Sequence, residues 1–296
     1  MTAALPQVSR FVFGTGDIGI NLANEKQERE LVEFAIESRL WFHSAPFYGG
    51  WKGDGQFGTP MALKKIFKVN KKIAGLISKF SPAAPVEKFE ERIKQNIEAY
   101  GVEKIDVLQV TWDHDISDDL ANGGPASEAF RRCKEQGLID KVILDVIPET
   151  SAAARHAAER GLFDGYIYYY CPVNINVDPA LHAYLLRSKI PVLALRTLGK
   201  VYLKQKPGSD FKHAYIKAEH AAEVYALMQE SGYASWLEFC MQFVMGSAGI
   251  HATIGSTLSM DHLKAYLRAA AAPVTMTDET RQKIFALIRK YPYQVK

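Results

Sequence analysis

Three cysteines in 296 residues, at positions 133, 171 and 240, are too few and too scattered for a disulfide framework. Their odd number and wide spacing fit a reducing compartment, and a cytoplasmic protein is expected. Neither Cys-x-x-Cys nor His-Glu-x-x-His occurs, so no metal site is expected. No apolar run reaches the ~18 residues that span a bilayer. Residues 1–10 lack the basic flank and apolar stretch of a signal peptide, and no membrane partner is expected. The net charge is only +3, and no dense Lys/Arg block with interleaved aromatics is present, which sets nucleic acid aside as a partner. The most basic stretch, Lys64, Lys65, Lys68, Lys71 and Lys72, reads as a solvated helix end leading into a strand. No low-complexity linker divides the chain.

What is present is an alternation. Short apolar runs that suit strands (Phe11–Phe13, Leu40–Phe42, Ile73–Ser78, Ile105–Val110, Val142–Val146, Tyr166–Tyr170, Pro191–Leu195, His251–Ile254) are separated by longer amphipathic stretches. Proline opens the helices predicted from Pro85, Pro125 and Pro179, and glycine closes those ending before Gly137 and Gly161. Strict alternation implies parallel strands, because a helix fills each crossover. About eight such pairs in a chain of this length favour a closed barrel over an open sheet, since a barrel domain commonly takes about 250 residues. The expectation is an α/β fold, a (β/α)8 TIM barrel, forming a single domain over residues 1–296 with an extra helix near 278–289. Active sites of such barrels lie at the C-terminal ends of the strands.

Gly14-Thr15-Gly16-Asp17-Ile18-Gly19 matches the dinucleotide fingerprint G-x-G-x-x-G and follows a strand. A Rossmann site needs the helix to open at that turn, so that its N-terminus faces a pyrophosphate. Here the helix is predicted only from Glu25, several residues late, and a structural turn is the preferred reading.

The segment Trp41-Phe42-His43-Ser44-Ala45-Pro46-Phe47-Tyr48-Gly49 leaves a strand and enters a loop. It resembles the aldo/keto reductase segment in which a strand ends in Phe-Asp-Thr-Ala and Tyr-Gly follows. Ile77-Ser78-Lys79-Phe80 is similar to that family's Thr-Lys pair, and Ile105-Asp106-Val107-Leu108-Gln109-Val110-Thr111-Trp112 to its Asp-Leu-x-Leu-x-His-Trp run. The resemblance implies that Tyr48 donates a proton to a substrate carbonyl and that Lys79 lowers the tyrosine pKa. The physics is that a phenol titrating near about 10 is a poor proton shuttle, whereas an ammonium beside it stabilises phenolate. Two positions depart from the pattern: His43 stands where the family has Asp, and Thr111 where it has a catalytic His. His114, in Asp113-His114-Asp115, is a candidate for the missing imidazole.

The resemblance runs from Phe11 to Leu267 and also suggests a cofactor site. Asp145 and Val146 stand where the family's Ser and Asn hold the nicotinamide amide, and Ile167 stands where it has Gln. Ile190-Pro191-Val192 through Leu198-Gly199-Lys200 is similar to the loop that lies over the cofactor pyrophosphate, with Arg196 and Lys200 as sources of charge. Ile254-Gly255-Ser256-Thr257 fits the turn after the last strand, but Leu258 stands where a basic residue commonly pairs with a 2′-phosphate. The implied cofactor-binding set is Asp145, Arg196, Leu198, Gly199, Lys200, Gly255, Ser256 and Thr257. The implied cofactor is NADP(H), with NAD(H) as the alternative. Phe47, Trp51 and Trp112 suggest an apolar or planar small-molecule substrate.

Plainer readings stand beside these. Tyr48 also reads as a rim tyrosine, Lys79 as a snorkelling surface cation, and Thr111 as a strand-end hydroxyl. His43 is open between a satisfied core histidine and a general base. In Tyr168-Tyr169-Tyr170 one face is expected near the cleft and the other against helices. The first functional reading is a nicotinamide-dependent oxidoreductase acting on a small carbonyl or alcohol, as a monomer or small homo-oligomer. The alternatives are a cofactor-independent acid–base enzyme on the same barrel (a lyase, isomerase or cyclase) and a non-catalytic binding homologue.

Overall fold

The computed structural model describes residues 5–20, 24–49, 51–52, 56–70, 73–111, 122–199 and 216–292, with the backbone alone at 51–52 and 56–57. The barrel strands are β1 (Phe11–Gly14), β2 (Trp41–Ser44), β3 (Leu76–Phe80), β4 (Ile105–Val110), β5 (Ile139–Asp145), β6 (Gly165–Cys171), β7 (Val192–Leu195) and β8 (Ile250–Ser256). Each pairs in parallel with the next, and β8 pairs with β1, so the eight strands close into a ring. The fold is a (β/α)8 barrel, as the alternation predicts.

Two strand boundaries differ from those the sequence pattern predicts. β3 runs over Leu76–Phe80 rather than Ile73–Ser78, and β5 over Ile139–Asp145 rather than Val142–Val146. An apolar run marks a strand without fixing its ends, and register with the neighbours decides them. Two short antiparallel pairings were not anticipated: Trp51–Lys52 with Gln56–Phe57, and Asn174–Ile175 folding back on the end of β6.

Around the ring lie α1 (Glu25–Glu37), α2 (Gly58–Asn70), α3 (Phe89–Tyr100), α4 (Pro125–Glu135), α5 (Ser151–Glu159), α6 (Pro179–Arg187), α7 (Ala218–Glu230), α8 (Trp236–Met245), α9 (Met260–Ala271) and α10 (Asp278–Lys290). Side-chain caps fix several starts. Asp178 accepts from the backbone N–H groups of Ala180 and Leu181 at α6, and Ser235, Ser259 and Thr277 cap α8, α9 and α10. The terminal helix α10 is tied down by Arg281, which donates to the carbonyl of Phe243 and to Ser247. All three cysteines are free and buried. Among the described residues, no helix is long and apolar enough to cross a membrane.

The strand period of two sorts side chains into two cores. Phe11, Phe13, Phe42, Leu108, Leu144, Tyr166 and Tyr168 face outward and join the helices in the larger apolar cluster. Val12, Trp41, Ile77, Val107, Ile143, Ile167, Leu193, Ala252 and Ile254 face inward and fill the barrel, with Leu5 packed among them. Filling of this kind makes the interior a packed core rather than a pore.

Candidate active site

One pleat beyond that apolar plug, the inward positions become polar on five consecutive strands. His43 follows Trp41 by two residues, Lys79 follows Ile77, Gln109 follows Val107, Asp145 follows Ile143, and Tyr169 follows Ile167. Because successive side chains alternate between faces, each shares the inward face with its apolar predecessor but sits nearer the C-terminal mouth. The site is thus a ring of polar groups resting on a hydrophobic floor.

Tyr48 reaches this ring from the loop after β2. The Lys79 ammonium lies 5.4 Å from the centre of the Tyr48 ring, so the two groups meet at one mouth although they come from different strands. Phe47, 51% exposed, packs edge-on against the Tyr48 ring on the outer rim. The loop that carries Tyr48 is pinned at several points. Its own N–H donates to Ala45, the N–H of Thr59 donates to the Tyr48 carbonyl, and the Thr59 hydroxyl donates to Ile18. Behind it, Gly19, Gly49 and Gly58 meet backbone to backbone. Gly19 sits at φ 76°, and a Cβ there would come within 2.4 Å of the Gly58 carbonyl oxygen. The Glu28 carboxylate accepts from the Gly19 N–H at 2.7 Å and holds this contact from α1.

That arrangement accounts for the G-x-G-x-x-G match. Gly16 lies under the Tyr48 ring, Gly19 makes the close approach, and α1 opens only at Glu25. The motif builds the support of the Tyr48 loop rather than a Rossmann turn.

A buried hydrogen-bonded chain crosses the mouth. His43 Nε2 and Gln109 Oε1 are 2.6 Å apart, and Gln109 Nε2 donates to Asp145 Oδ2 at 2.8 Å. Since a carbonyl oxygen only accepts, Nε2 of His43 carries the hydrogen. His43 is 4% exposed, and burial pushes its pKa down to about 3, helped by the nearby Lys79 charge and opposed by the bond to Gln109. It is therefore a neutral histidine at physiological pH, hydrogen-bonded through Nε2. Burial pushes the Asp145 carboxyl up to about 6, while Lys79, the Gln109 amide and Arg196 act the other way. Asp145 is accordingly the anion that faces Lys79 and Arg196 from β5.

The other sequence candidates fall as follows. The Thr111 hydroxyl donates to the Phe80 carbonyl at the end of β3, which makes it a strand-end hydroxyl in this structure. Arg196 follows β7 with φ 53°, and its guanidinium lies 4.2 Å from the centre of the Tyr169 ring. Leu198 and Gly199 belong to a tight turn in which the Gly199 N–H donates to the Arg196 carbonyl and Trp236 donates to the Leu198 carbonyl. Gly255 points toward Phe11 and Tyr266, away from the interior, while Ser256 is exposed at the end of β8. Thr257 accepts from the Ser259 N–H and shapes the entry to α9. His114, Trp112 and Lys200 lie outside the described residues, and of Trp51 only the backbone is described. Tyr168 and Tyr170 turn outward to His182 and to Phe243, leaving Tyr169 alone of the three on the inward face. Gln109 is the further member of this polar layer, and its signal in the sequence is a lone amide on the inward face of β4, two residues after Val107.

The solved structures similar to this chain share one architecture. An aldo-keto reductase from Bacillus halodurans, in its apo form, superposes with a TM-score of 0.75 at 18% identity, covering 97% of this chain and 94% of its own. One from Klebsiella pneumoniae, in complex with NADPH, gives 0.72 at 17% identity over 98% and 93%. The glycerol dehydrogenase of Gluconobacter oxydans gives 0.72 at 14% identity over 98% and 94%. The chain has the aldo-keto reductase fold. No protein-family profile and no curated protein matches the sequence. Within that fold, the pairing of Tyr48 with Lys79 sits at the mouth where barrel chemistry is performed.

Proposed function

We propose that the chain is a divergent aldo/keto reductase superfamily member, an oxidoreductase that interconverts a small carbonyl and its alcohol with NADP(H). The observation that carries this reading is the convergence of Tyr48 and Lys79 on the mouth of the barrel. In the reductive direction the Tyr48 hydroxyl gives its proton to the carbonyl oxygen, and the Lys79 ammonium stabilises the negative charge left on the phenolate. The pinned loop around Gly19 and Thr59 fixes where that hydroxyl points, which is what proximity catalysis requires. The aromatic rim at Phe47 suits an apolar substrate and helps to exclude water. NADP(H), when bound, supplies the hydride.

Several residues fit such a dinucleotide. The first turn of α9 brings the positive end of a helix close to Ser256 and Thr257, with one N–H taken by Ser259 and the negative charge of Asp261 in the same turn. Arg196 adds positive charge beside the turn at Leu198 and Gly199. Tyr169 offers a ring on the inward face, and ionised Asp145 accepts from a carboxamide NH2 but offers nothing to its oxygen. The last point, together with Arg196 covering one face of Tyr169, favours a second reading: an acid–base enzyme of the same fold that works without a nicotinamide.

Titrating the purified protein with NADPH and with NADH, followed by cofactor fluorescence, separates the two. Saturable binding of NADPH supports the oxidoreductase; absence of binding of either nucleotide at millimolar concentration refutes it. With a panel of aldehydes and NADPH, Tyr48→Phe is expected to lower turnover by at least about 10²-fold while leaving nucleotide binding unchanged.

A further inference from the structure

We propose that Asp145 is a positioning residue whose ionised carboxylate, acting through the Gln109 amide, fixes the proton of His43 on Nε2. The argument is one of donors and acceptors. An ionised carboxylate only accepts, so Gln109 must turn its NH2 toward Asp145, as it does at 2.8 Å. The amide is rigid and planar, so its oxygen then faces β2, where His43 Nε2 lies 2.6 Å away. An imidazole nitrogen facing a carbonyl oxygen must be the protonated one, which leaves Nδ1 with the lone pair. The direction set on β5 is transmitted across β4 to β2 without any contact between Asp145 and His43.

Protonation of Asp145 releases each link, because a neutral carboxyl has both an O–H donor and a carbonyl acceptor and satisfies the amide in either orientation. In the second orientation, reached when the Gln109 amide turns through half a revolution, the carboxyl O–H donates to the amide oxygen. The NH2 now faces His43 Nε2, which must accept, so His43 loses a proton from Nε2 and gains one on Nδ1. The balance is a single proton taken from solvent, held on Asp145; His43 stays neutral throughout. Among the described residues, the charged groups facing this chain are Lys79 from β3, which bears on both ends, and Arg196 from beyond β7, which bears on Asp145; the backbone N–H of Val146 also faces Asp145. The Asp145 carboxyl, raised to about 6, places this release within the range where His43, lowered to about 3, is still uncharged. The inference concerns the cofactor-free protein and stands apart from the oxidoreductase reading.

The test uses the full chain labelled with 15N at histidine, with two-bond 15N–1H correlation spectra between about pH 8 and about pH 5. The His43 signals are those missing from a His43→Asn variant. At about pH 7, one unit above the Asp145 carboxyl, an excess of the Nε2–H form of at least about tenfold is expected, and at about pH 5 that excess collapses as the Nδ1–H form appears. In Asp145→Leu the pH dependence should vanish, because no group on β5 then directs the amide. Finding His43 as Nδ1–H at about pH 8, as Nε2–H unchanged down to about pH 5, or charged within this range overturns the proposal. The titration of the unsubstituted protein alone decides the matter if the leucine variant does not fold.

Discussion

His43→Asn removes a buried base that the native protein keeps neutral, and the consequence is a change in how stability responds to acid. In the native state His43 titrates at about 3, and in the unfolded chain at its ordinary 6.5. Between these values the unfolded chain binds a proton that the native state does not, so stability falls as the pH falls, by about 1.4 kcal/mol per pH unit. From pH 7 to pH 5 the loss assigned to this one residue is on the order of 2 kcal/mol. Asp145 has the opposite sign. Its carboxyl is raised to about 6, so between there and the ordinary carboxylate range the native state holds a proton that the unfolded chain has released. That adds stability as the pH falls and masks part of the His43 effect in the unsubstituted protein. Comparing two proteins removes the mask. Urea unfolding at both pH values should show His43→Asn losing about 2 kcal/mol less on acidification than the unsubstituted chain, whatever packing the substitution disturbs at neutral pH. Equal losses in the two proteins would refute the neutral, enclosed histidine.

Other outcomes follow from the same geometry. Tyr48→Phe should lower turnover of a carbonyl substrate by about 10²–10⁴-fold with nucleotide affinity retained, measured by steady-state kinetics and fluorescence titration. Lys79→Met should raise the pKa values of both His43 and Asp145, since Lys79 lowers each, and NMR titration of the two groups checks it. Gly19→Ala should destabilise the protein by about 1–3 kcal/mol, because the added Cβ meets the Gly58 carbonyl at a positive φ, and thermal unfolding measures the loss.

The fold was legible because its two signals are local. Apolar runs such as Ile105–Val110 and helix stops such as Gly137 lie within a few residues of one another, and strict alternation leaves few topologies open. The meeting of Tyr48 with Lys79 was legible once the strands were known to be parallel, because both residues follow strand C-terminal ends. The partnership of His43 with Gln109 was not. It depends on β2 and β4 flanking β3 at the right height, a fact of register that no single segment carries. Thr111 occupies a position where the resemblance implies an imidazole, while the residue one pleat below it makes the buried bonds. The G-x-G-x-x-G match shows the converse: a short motif satisfied by backbone crowding under Tyr48 instead of by a phosphate.

The departures at His43 and Asp145 make sense together. A neutral imidazole on β2 does nothing to offset the Lys79 ammonium, and in fact the ammonium helps to keep it neutral. An enclosed cation without an anion nearby is costly. The carboxylate that faces it stands instead on β5, in the same layer of the barrel and joined to β2 through Gln109. The inward face at that height draws side chains from several strands, so a carboxylate on β5 faces Lys79 although β2 carries a neutral imidazole. The field on Lys79 thus arises from the β5 side of the mouth, where Asp145 stands beside Arg196 and Tyr169.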